Sequence, residues 1–187
     1  NTPFVSDEAQ IFYDREAHGV KQALKENGKL YAFEKAGPRE KLFFDPNWCK
    51  AAILTAGGLC PGLNNVIRGL TETLTKVYGV PVVYGIPYGY CGLNPALGYT
   101  PVRLDENTVD DIHEQGGTIL GSARGKQDTL VMLETLIRMN INILFCIGGD
   151  GTLRAAHDLA QEILRRKLNI CVIGIPKTID NDICMID

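Results

Sequence analysis

From Lys50 onward, short apolar runs alternate with segments whose apolar residues recur at helical spacing. Each apolar run predicts a buried strand, and the four runs are 51–56, 80–86, 141–147 and 170–175. The segments that lie between or beside them predict helices over 63–77, 105–115, 127–139 and 153–164. Strands that alternate with helices form βαβ units. The pattern therefore predicts a Rossmann-like α/β fold, in which helices flank one mostly parallel sheet.

The first 48 residues differ from the rest of the chain because they are charged and poorly periodic. One short helix is expected near 20–26, and the stretch 37–41 is typical of a linker or turn. We therefore predict an N-terminal extension over 1–48, which packs on the domain or on another subunit, and an α/β domain over 49–187.

Composition restricts the classes of function. The 187 residues are 45% hydrophobic and 22% charged, which is the balance of a globular protein. A net charge of −3 argues against a nucleic-acid surface, which usually carries a basic stripe. The chain has neither an apolar leader nor a run of about 18 apolar residues, so no membrane association is expected. The six cysteines form no C-x-x-C pair, which favours reduced thiols and a cytoplasmic location.

Polar or glycine-rich segments follow three of the predicted strands, at 55–65, 148–152 and 176–182. Ligands of parallel sheets bind at the carboxyl ends of the strands, so these segments are expected to share one site. The first segment contains Gly57 and Gly58 and leads from a strand into a helix. Glycine backbone and the unpaired N–H groups of a helix start suit a phosphate. A tight turn without a ligand is the alternative explanation.

Charged side chains in these segments add a second chemistry. Asp150 follows a strand and suits Mg²⁺, which prefers oxygen ligands, although capping of the next helix is an alternative. Asp180 and Asp182 stand so close in sequence that each needs a metal, a substrate hydroxyl or a cation, unless they only form an Asx-rich turn. Arg124 lies in a loop of small residues, where it either grips phosphate or is simply exposed to solvent.

Four segments taken together resemble the 6-phosphofructokinase family. They are ILTAGGLCPGLNNVIR at 53–68, GTILGSAR at 117–124, IGGDGT at 147–152 and PKTIDND at 176–182. Their order and spacing match that family, and the resemblance extends from about residue 51 to the end. It implies a phosphofructokinase-like α/β fold. It also implies transfer of the γ-phosphoryl group of ATP to the C1 hydroxyl of fructose 6-phosphate, a step of glycolysis.

The resemblance further implies roles for individual residues. Contacts to ATP are expected from Gly57, Gly58, Arg124, Gly149, Asp150, Gly151 and Thr152. Asp150 would serve Mg²⁺, and Arg124 would contact the transferring phosphoryl group. Asp180 matches the general base, with Thr178 as a further catalytic residue. Contacts to the sugar phosphate are expected from Lys177, Thr178, Asp180 and Asp182.

Two positions distinguish phosphoryl donors within the family that the chain resembles. Gly151 is typical of ATP-dependent members, whereas pyrophosphate-dependent members carry an Asp that would crowd and repel the α-phosphate. Lys177 is typical of the pyrophosphate enzymes. The mixed pair resembles the ATP-dependent enzymes of plants and trypanosomatids, which are related to the pyrophosphate branch. ATP is therefore the predicted donor, and a pyrophosphate enzyme or a non-catalytic nucleotide-binding module is the alternative.

The resemblance also implies that family members continue well beyond Asp187 and assemble as dimers or tetramers, with allosteric effectors bound largely between subunits. A nucleotide-binding domain over 49–187 would then be incomplete, and a homo-oligomer is expected for the full-length protein. We expect the isolated chain to fold, to lack kinase activity, and to self-associate through uncovered apolar surface.

Overall fold

The fold is described from a computed structural model, which covers residues 4–12, 16–28 and 30–182. The chain divides into two compact units. The first contains Asn1–Phe43 together with Asp180–Asp187, and the second contains Phe44–Ile179. The predicted division into an extension over 1–48 and a domain over 49–187 stays a prediction.

Within the first unit, a helix stands between two short strands in sequence. Strands β1 (Gln10–Phe12) and β2 (Ala32–Glu34) pair antiparallel, and helix α1 covers Ala17–Asn27. The expected short helix is thus present and extends further in both directions. The strand pair was not expected, because three residues are too few to give an alternating pattern. Arg39 donates to the carbonyl oxygens of Val5 at 3.0 Å and Lys35 at 2.7 Å, so the predicted linker is held by hydrogen bonds.

A five-stranded sheet forms the centre of the second unit. Its strands are β3 (Lys50–Ala56), β4 (Val82–Ile86), β5 (Val102–Leu104), β6 (Ile143–Gly148) and β7 (Cys171–Pro176). Their spatial order is β5-β4-β3-β6-β7, and every pair except β4–β5 is parallel. The mostly parallel α/β sheet is confirmed. A sheet built only from the four predicted runs is wrong, since the three-residue edge strand β5 adds an antiparallel partner.

Helices follow the parallel strands. They are α2 (Leu63–Glu72), which continues as a π-helical turn over Thr73–Val77, α4 (Thr129–Arg138) and α5 (Asp150–Arg165). The predicted helix over 105–115 is wrong in extent. The structure has helix α3 (Glu106–Val109) and a separate 3₁₀ turn over Ile112–Glu114. Between them, Asp111 leaves the helical region with φ −100° and ψ 2°, which ends the regular pattern.

The inner strands β3 and β6 are buried on both faces, as expected of parallel strands, whereas the edge strand β7 is partly exposed. Ala52 and Leu54 of β3 face one core cluster, which includes Leu133 and Leu136 of α4 and Leu159 of α5. The alternate residues of β3 face a second cluster, which α2 and the α3 region cover. The sheet is therefore sandwiched between helices, and its strand ends remain free to build a site.

The five cysteines in the described part of the chain, at 49, 60, 91, 146 and 171, are all free thiols. Cys184 lies outside the described residues. Among the residues that the structure covers, no helix is both long enough and apolar enough to cross a bilayer.

The end of β6 gives a test of close packing. A Cβ at Gly148 would lie 2.6 Å from the carbonyl oxygen of Ala56 and would collide with Oγ1 of Thr152. Because the obstacle includes backbone, we expect Gly148→Ala to destabilise the protein by about 1–3 kcal/mol in urea denaturation. Gly69→Ala is the matched control, since a Cβ there meets no atom within 4 Å in helix α2. It should raise stability by up to ~1 kcal/mol, and equal effects of the two substitutions would refute the packing argument.

Candidate functional site

The first part of the site is the start of helix α5. Strand β6 ends at Gly148 and α5 begins at Asp150, with Gly149 as the N-cap. Gly149 has no side chain to bond the first N–H groups of α5, and while the N–H of Thr152 donates to the carbonyl oxygen of Gly149, those of Asp150 and Gly151 remain available to an anion. Asp150 is the first residue of the helix and not its cap, which excludes the capping alternative.

The second part is the turn from β3 into α2. Gly57 adopts φ +87°, and Gly62, the N-cap of α2, adopts φ +92°. Both values lie in the left-handed region, which favours glycine. The carbonyl oxygen of Gly57 accepts a hydrogen bond from Ser122 Oγ at 2.5 Å. The turn is therefore attached to the loop that carries Arg124.

The loop 116–126 is also attached to strand β3 itself. Thr55 is 1% exposed, and its Oγ1 donates to the carbonyl oxygen of Gly121 at 2.8 Å. The same Oγ1 lies 2.9 Å from Oγ1 of Thr118. The guanidinium of Arg124 lies beside the turn from β3 into α2, since a Cβ built on Gly58 would lie 4.0 Å from Arg124 Nη2. Side-chain hydrogen bonds thus position the predicted phosphate-binding arginine.

These segments enclose one cavity of about 570 Å³ at the carboxyl ends of the sheet strands. Eight predicted site residues line it: Gly57, Gly58, Arg124, Gly149, Asp150, Gly151, Thr152 and Lys177. A second cavity, of about 550 Å³, shares Gly57, Gly58 and Arg124 with the first. The expectation that the three polar segments meet therefore agrees with the geometry, although the role of each residue stays a prediction.

The charges in the 570 Å³ cavity favour a polyanion. Its cationic side chains are Arg124, Lys126, Arg154 and Lys177, and its carboxylates are Asp150 and Asp158. An excess of cations within a concave surface concentrates the positive potential there. The sequence analysis did not assign Lys126, Arg154 or Asp158, because nothing in the spacing alone indicates that they face the cavity.

Tyr90 also lines the cavity and was not assigned from the sequence. Its Oη donates to the carbonyl oxygen of Thr152 at 2.8 Å, and it is 6% exposed. Burial raises the pKa of the Tyr90 phenol, and the neighbouring Cys146 thiol adds to the shift. Burial likewise raises the pKa of Cys146 to about 12. The phenol therefore stays protonated and restrains the first turn of α5, where Thr152 Oγ1 donates to the carbonyl oxygen of Ala56 at 3.4 Å.

Asn64 is a second unassigned residue that shapes the site. It is 2% exposed, its Nδ2 donates to the carbonyl oxygen of Gln115 at 3.0 Å, and its Oδ1 accepts from the N–H of Ile119 at 2.9 Å. One amide side chain thus fixes both ends of the bend at 115–119, which leads toward Arg124. The only signal in the sequence is a polar residue beside the apolar face of a predicted helix.

The remaining predicted residues follow strand β7. Thr178 is half-buried and is not among the residues that line the 570 Å³ cavity. Asp180 and Asp182 belong to the first unit, and both are exposed. Asn181 between them adopts φ +53°, a left-handed conformation that Asn tolerates. The catalytic and sugar-binding roles of these residues stay predictions.

Asp150 was also predicted to serve a metal ion. Over residues 4–12, 16–28 and 30–182, no three His, Cys, Asp or Glu side chains cluster closely enough to hold one. Mg²⁺ usually takes one or two carboxylates together with water and substrate phosphates. An exposed carboxylate beside a cationic cavity fits that mode of binding and does not fit a cage made entirely of protein ligands.

Comparison with known proteins decides the family. Residues 50–187 match the family model described as Phosphofructokinase. The chain belongs to the phosphofructokinase family. It is 48% identical to the ATP-dependent 6-phosphofructokinase of Borreliella burgdorferi and 49% identical to that of Entamoeba histolytica. The two alignments cover 96% and 99% of this chain, and the chain spans 41% of the length of each relative.

Solved structures of phosphofructokinases share the fold. Pichia pastoris phosphofructokinase in the T-state matches with a TM-score of 0.65 at 28% identity, over 81% of this chain and 17% of that one. The pyrophosphate-dependent phosphofructokinase of Nitrosospira multiformis matches with a TM-score of 0.66 at 20% identity, over 74% of this chain and 36% of that one. The second likeness concerns the fold alone.

The hydrogen bonds of Asn64 give a test of how the candidate site is held in place. Asn64→Ala leaves the carbonyl oxygen of Gln115 and the N–H of Ile119 without their hydrogen-bond partner. This loss should lower the free energy of unfolding, measured by urea denaturation, by about 1–3 kcal/mol. Asn65→Ala is the matched control, because Asn65 is the exposed neighbour on the same helix, and it should change stability by less than about 0.5 kcal/mol. A similar loss in both variants would contradict the assigned role.

Proposed function

We propose that the full-length protein is an ATP-dependent 6-phosphofructokinase. It would transfer the γ-phosphoryl group of ATP to the C1 hydroxyl of fructose 6-phosphate and form fructose 1,6-bisphosphate, the glycolytic reaction. One observation carries the proposal: a single cationic cavity is lined by all seven residues expected to bind the nucleotide, together with Lys177, which was expected to contact the sugar phosphate. The names of relatives at 48% and 49% identity support it.

The donor phosphates would bind between the Gly57–Gly58 turn and the start of α5. The start of α5 borders the cavity, and no cap side chain competes for its first N–H groups because the N-cap is Gly149. Arg124 would hold the transferring phosphoryl group and neutralise the charge that it carries. Phosphoryl transfer needs mainly such positioning and charge stabilisation from the protein.

Asp150 would hold Mg²⁺ beside the donor phosphates. When bound, Mg²⁺ supplies positive charge that neutralises the phosphate oxygens. The position of Asp150 in the first turn of α5 also suits a carboxylate, because the positive end of the helix dipole lies there.

The acceptor side of the reaction rests on the segment after β7. Asp180 would take the proton from the sugar C1 hydroxyl as general base, with Thr178 beside it in the chain. Lys177, Thr178 and Asp182 would contact the sugar phosphate. Asp180 and Asp182 are exposed, so both are accessible to a substrate. A binding module without catalysis has no use for a base, which argues against the non-catalytic alternative.

Gly151 supports ATP as the donor. A Cβ built on Gly151 meets no heavy atom within 4 Å, and the residue lines the cavity, so the space over it is open. That open space would take the α-phosphate. Lys177 also lines the cavity, and it is the observation that favours pyrophosphate as a second candidate donor. For the full-length protein we further propose a homo-oligomer in the cytoplasm.

Donor choice can be tested at Gly151. Because the position is open, the fold should accept Gly151→Asp, and the new carboxylate should repel the α-phosphate. We expect the full-length wild type to use ATP with Mg²⁺, and Gly151→Asp to lose ATP-dependent activity in a coupled fructose 1,6-bisphosphate assay. Gly151→Ala, which adds the Cβ without the charge, should keep most activity. A wild type that prefers pyrophosphate would show that Lys177 is the better guide.

The general base can be tested at Asp180. Asp180→Asn keeps the size of the side chain and removes its basicity, so kcat of the full-length enzyme should fall by about 10²–10⁴-fold. KM for fructose 6-phosphate should change less, and ATP binding measured by equilibrium dialysis should be unaffected. Retention of more than about a tenth of wild-type kcat would exclude Asp180 as the base.

A further inference from the structure

The 570 Å³ cavity extends along helix α5 beyond the residues proposed for phosphate binding. Asp150, Arg154 and Asp158 all line it. They stand at i, i+4 and i+8, so they form one row on a single face of the helix. With a rise of 1.5 Å per residue, Asp158 lies about 12 Å along the axis from Asp150. The cavity therefore has a phosphate end at the start of α5 and a distal end at Asp158.

The distal end is unsuited to phosphate. Asp158 places a carboxylate there, which repels anions. Ala155, three residues before Asp158 on α5, and Met132 of α4, 2% exposed, add apolar wall to the cavity, and the amide of Gln127, which also lines it, is bonded to Asn94 and Cys91. An apolar wall with a few polar groups is the usual lining of a small-molecule pocket, and here it fits a nucleoside.

The carboxylate of Asp158 is not used by the fold. It is exposed, and within the described part of the chain it has no ion-pair or hydrogen-bond partner. Glu162, one turn further along α5, contrasts with it. Glu162 accepts hydrogen bonds from Arg165 at 2.8 Å and 2.6 Å and from Arg166 at 2.6 Å, which lower its pKa to about 2. Of these two acids, only Asp158 faces the cavity with its acceptor atoms available.

We propose that Asp158 is a specificity-determining residue that accepts a hydrogen bond from the nucleoside of the phosphoryl donor. The donor group is an N–H of the base or a hydroxyl of the ribose. This assignment rests on the proposed function. Pyrophosphate has no nucleoside and gains nothing from Asp158. Asp158 and Gly151 would therefore both favour a nucleotide as donor, and they act at opposite ends of the cavity.

Steady-state kinetics and direct binding on the full-length enzyme test the assignment. Asp158→Ala should raise KM and Kd for ATP by about tenfold, as expected for one lost hydrogen bond to a charged group. Both kcat and KM for fructose 6-phosphate should stay within about twofold of wild type. Asp158→Asn keeps an acceptor oxygen and should restore part of the affinity. Glu134→Ala removes the same charge from an exposed position of α4 outside the cavity, and should leave KM for ATP unchanged.

Two ATP analogues identify the group that Asp158 contacts. Purine riboside triphosphate lacks the amino group of the base, and 2′-deoxy-ATP lacks one ribose hydroxyl. The analogue that lacks the contacted group should bind wild type and Asp158→Ala equally. Equal ATP affinity in wild type and Asp158→Ala would overturn the assignment while the kinase reaction still stands. A wild type that binds ATP through Asp158 but does not phosphorylate fructose 6-phosphate would overturn the proposed function instead.

Discussion

The close approach of strands β3 and β6 at their carboxyl ends is the constraint on which the candidate site depends. Ala56 pairs with Gly148 as the last residues of the two strands, and the absence of a Cβ at Gly148 leaves room for Thr152. The Thr152 hydroxyl reaches back to the carbonyl oxygen of Ala56. Helix α5 consequently starts close to the turn that contains Gly57, and this turn and the start of α5 border one cavity.

Buried polar side chains then position the loop that carries Arg124. Thr55 and Asn64 are almost fully buried, and each bonds to backbone atoms of the loop, at Gly121 and Ile119 respectively. A buried hydroxyl or amide without a partner is costly, so these bonds select one loop conformation over its alternatives. Arg124 itself is exposed and has little packing of its own. The position of Arg124 is therefore determined by the buried residues that hold its loop.

The sequence predicted the features that depend on local pattern. The parallel strands, the helices that follow them and the meeting of the glycine-rich segments all follow from periodicity and from the rule that ligands bind at strand ends. Features that depend on distant contacts were missed. Tyr90 bonds to Thr152 and Asn64 to Gln115, across 62 and 51 positions, and no local pattern encodes such pairs. Strand β5 was missed because three residues at a sheet edge carry no detectable period.

The distribution of charge along α5 gives the cavity a direction. Four cations line the cavity in which we propose that phosphates bind, and gathering them without a ligand is unfavourable because like charges repel. A bound polyphosphate relieves that repulsion, so binding should also stabilise the folded protein. Asp158, about two turns along the helix from Asp150, places a negative charge in the otherwise cationic lining. A ligand with a uniform negative charge would suit only the first part of such a cavity, whereas the proposed nucleotide, charged at one end and neutral at the other, would suit its whole length.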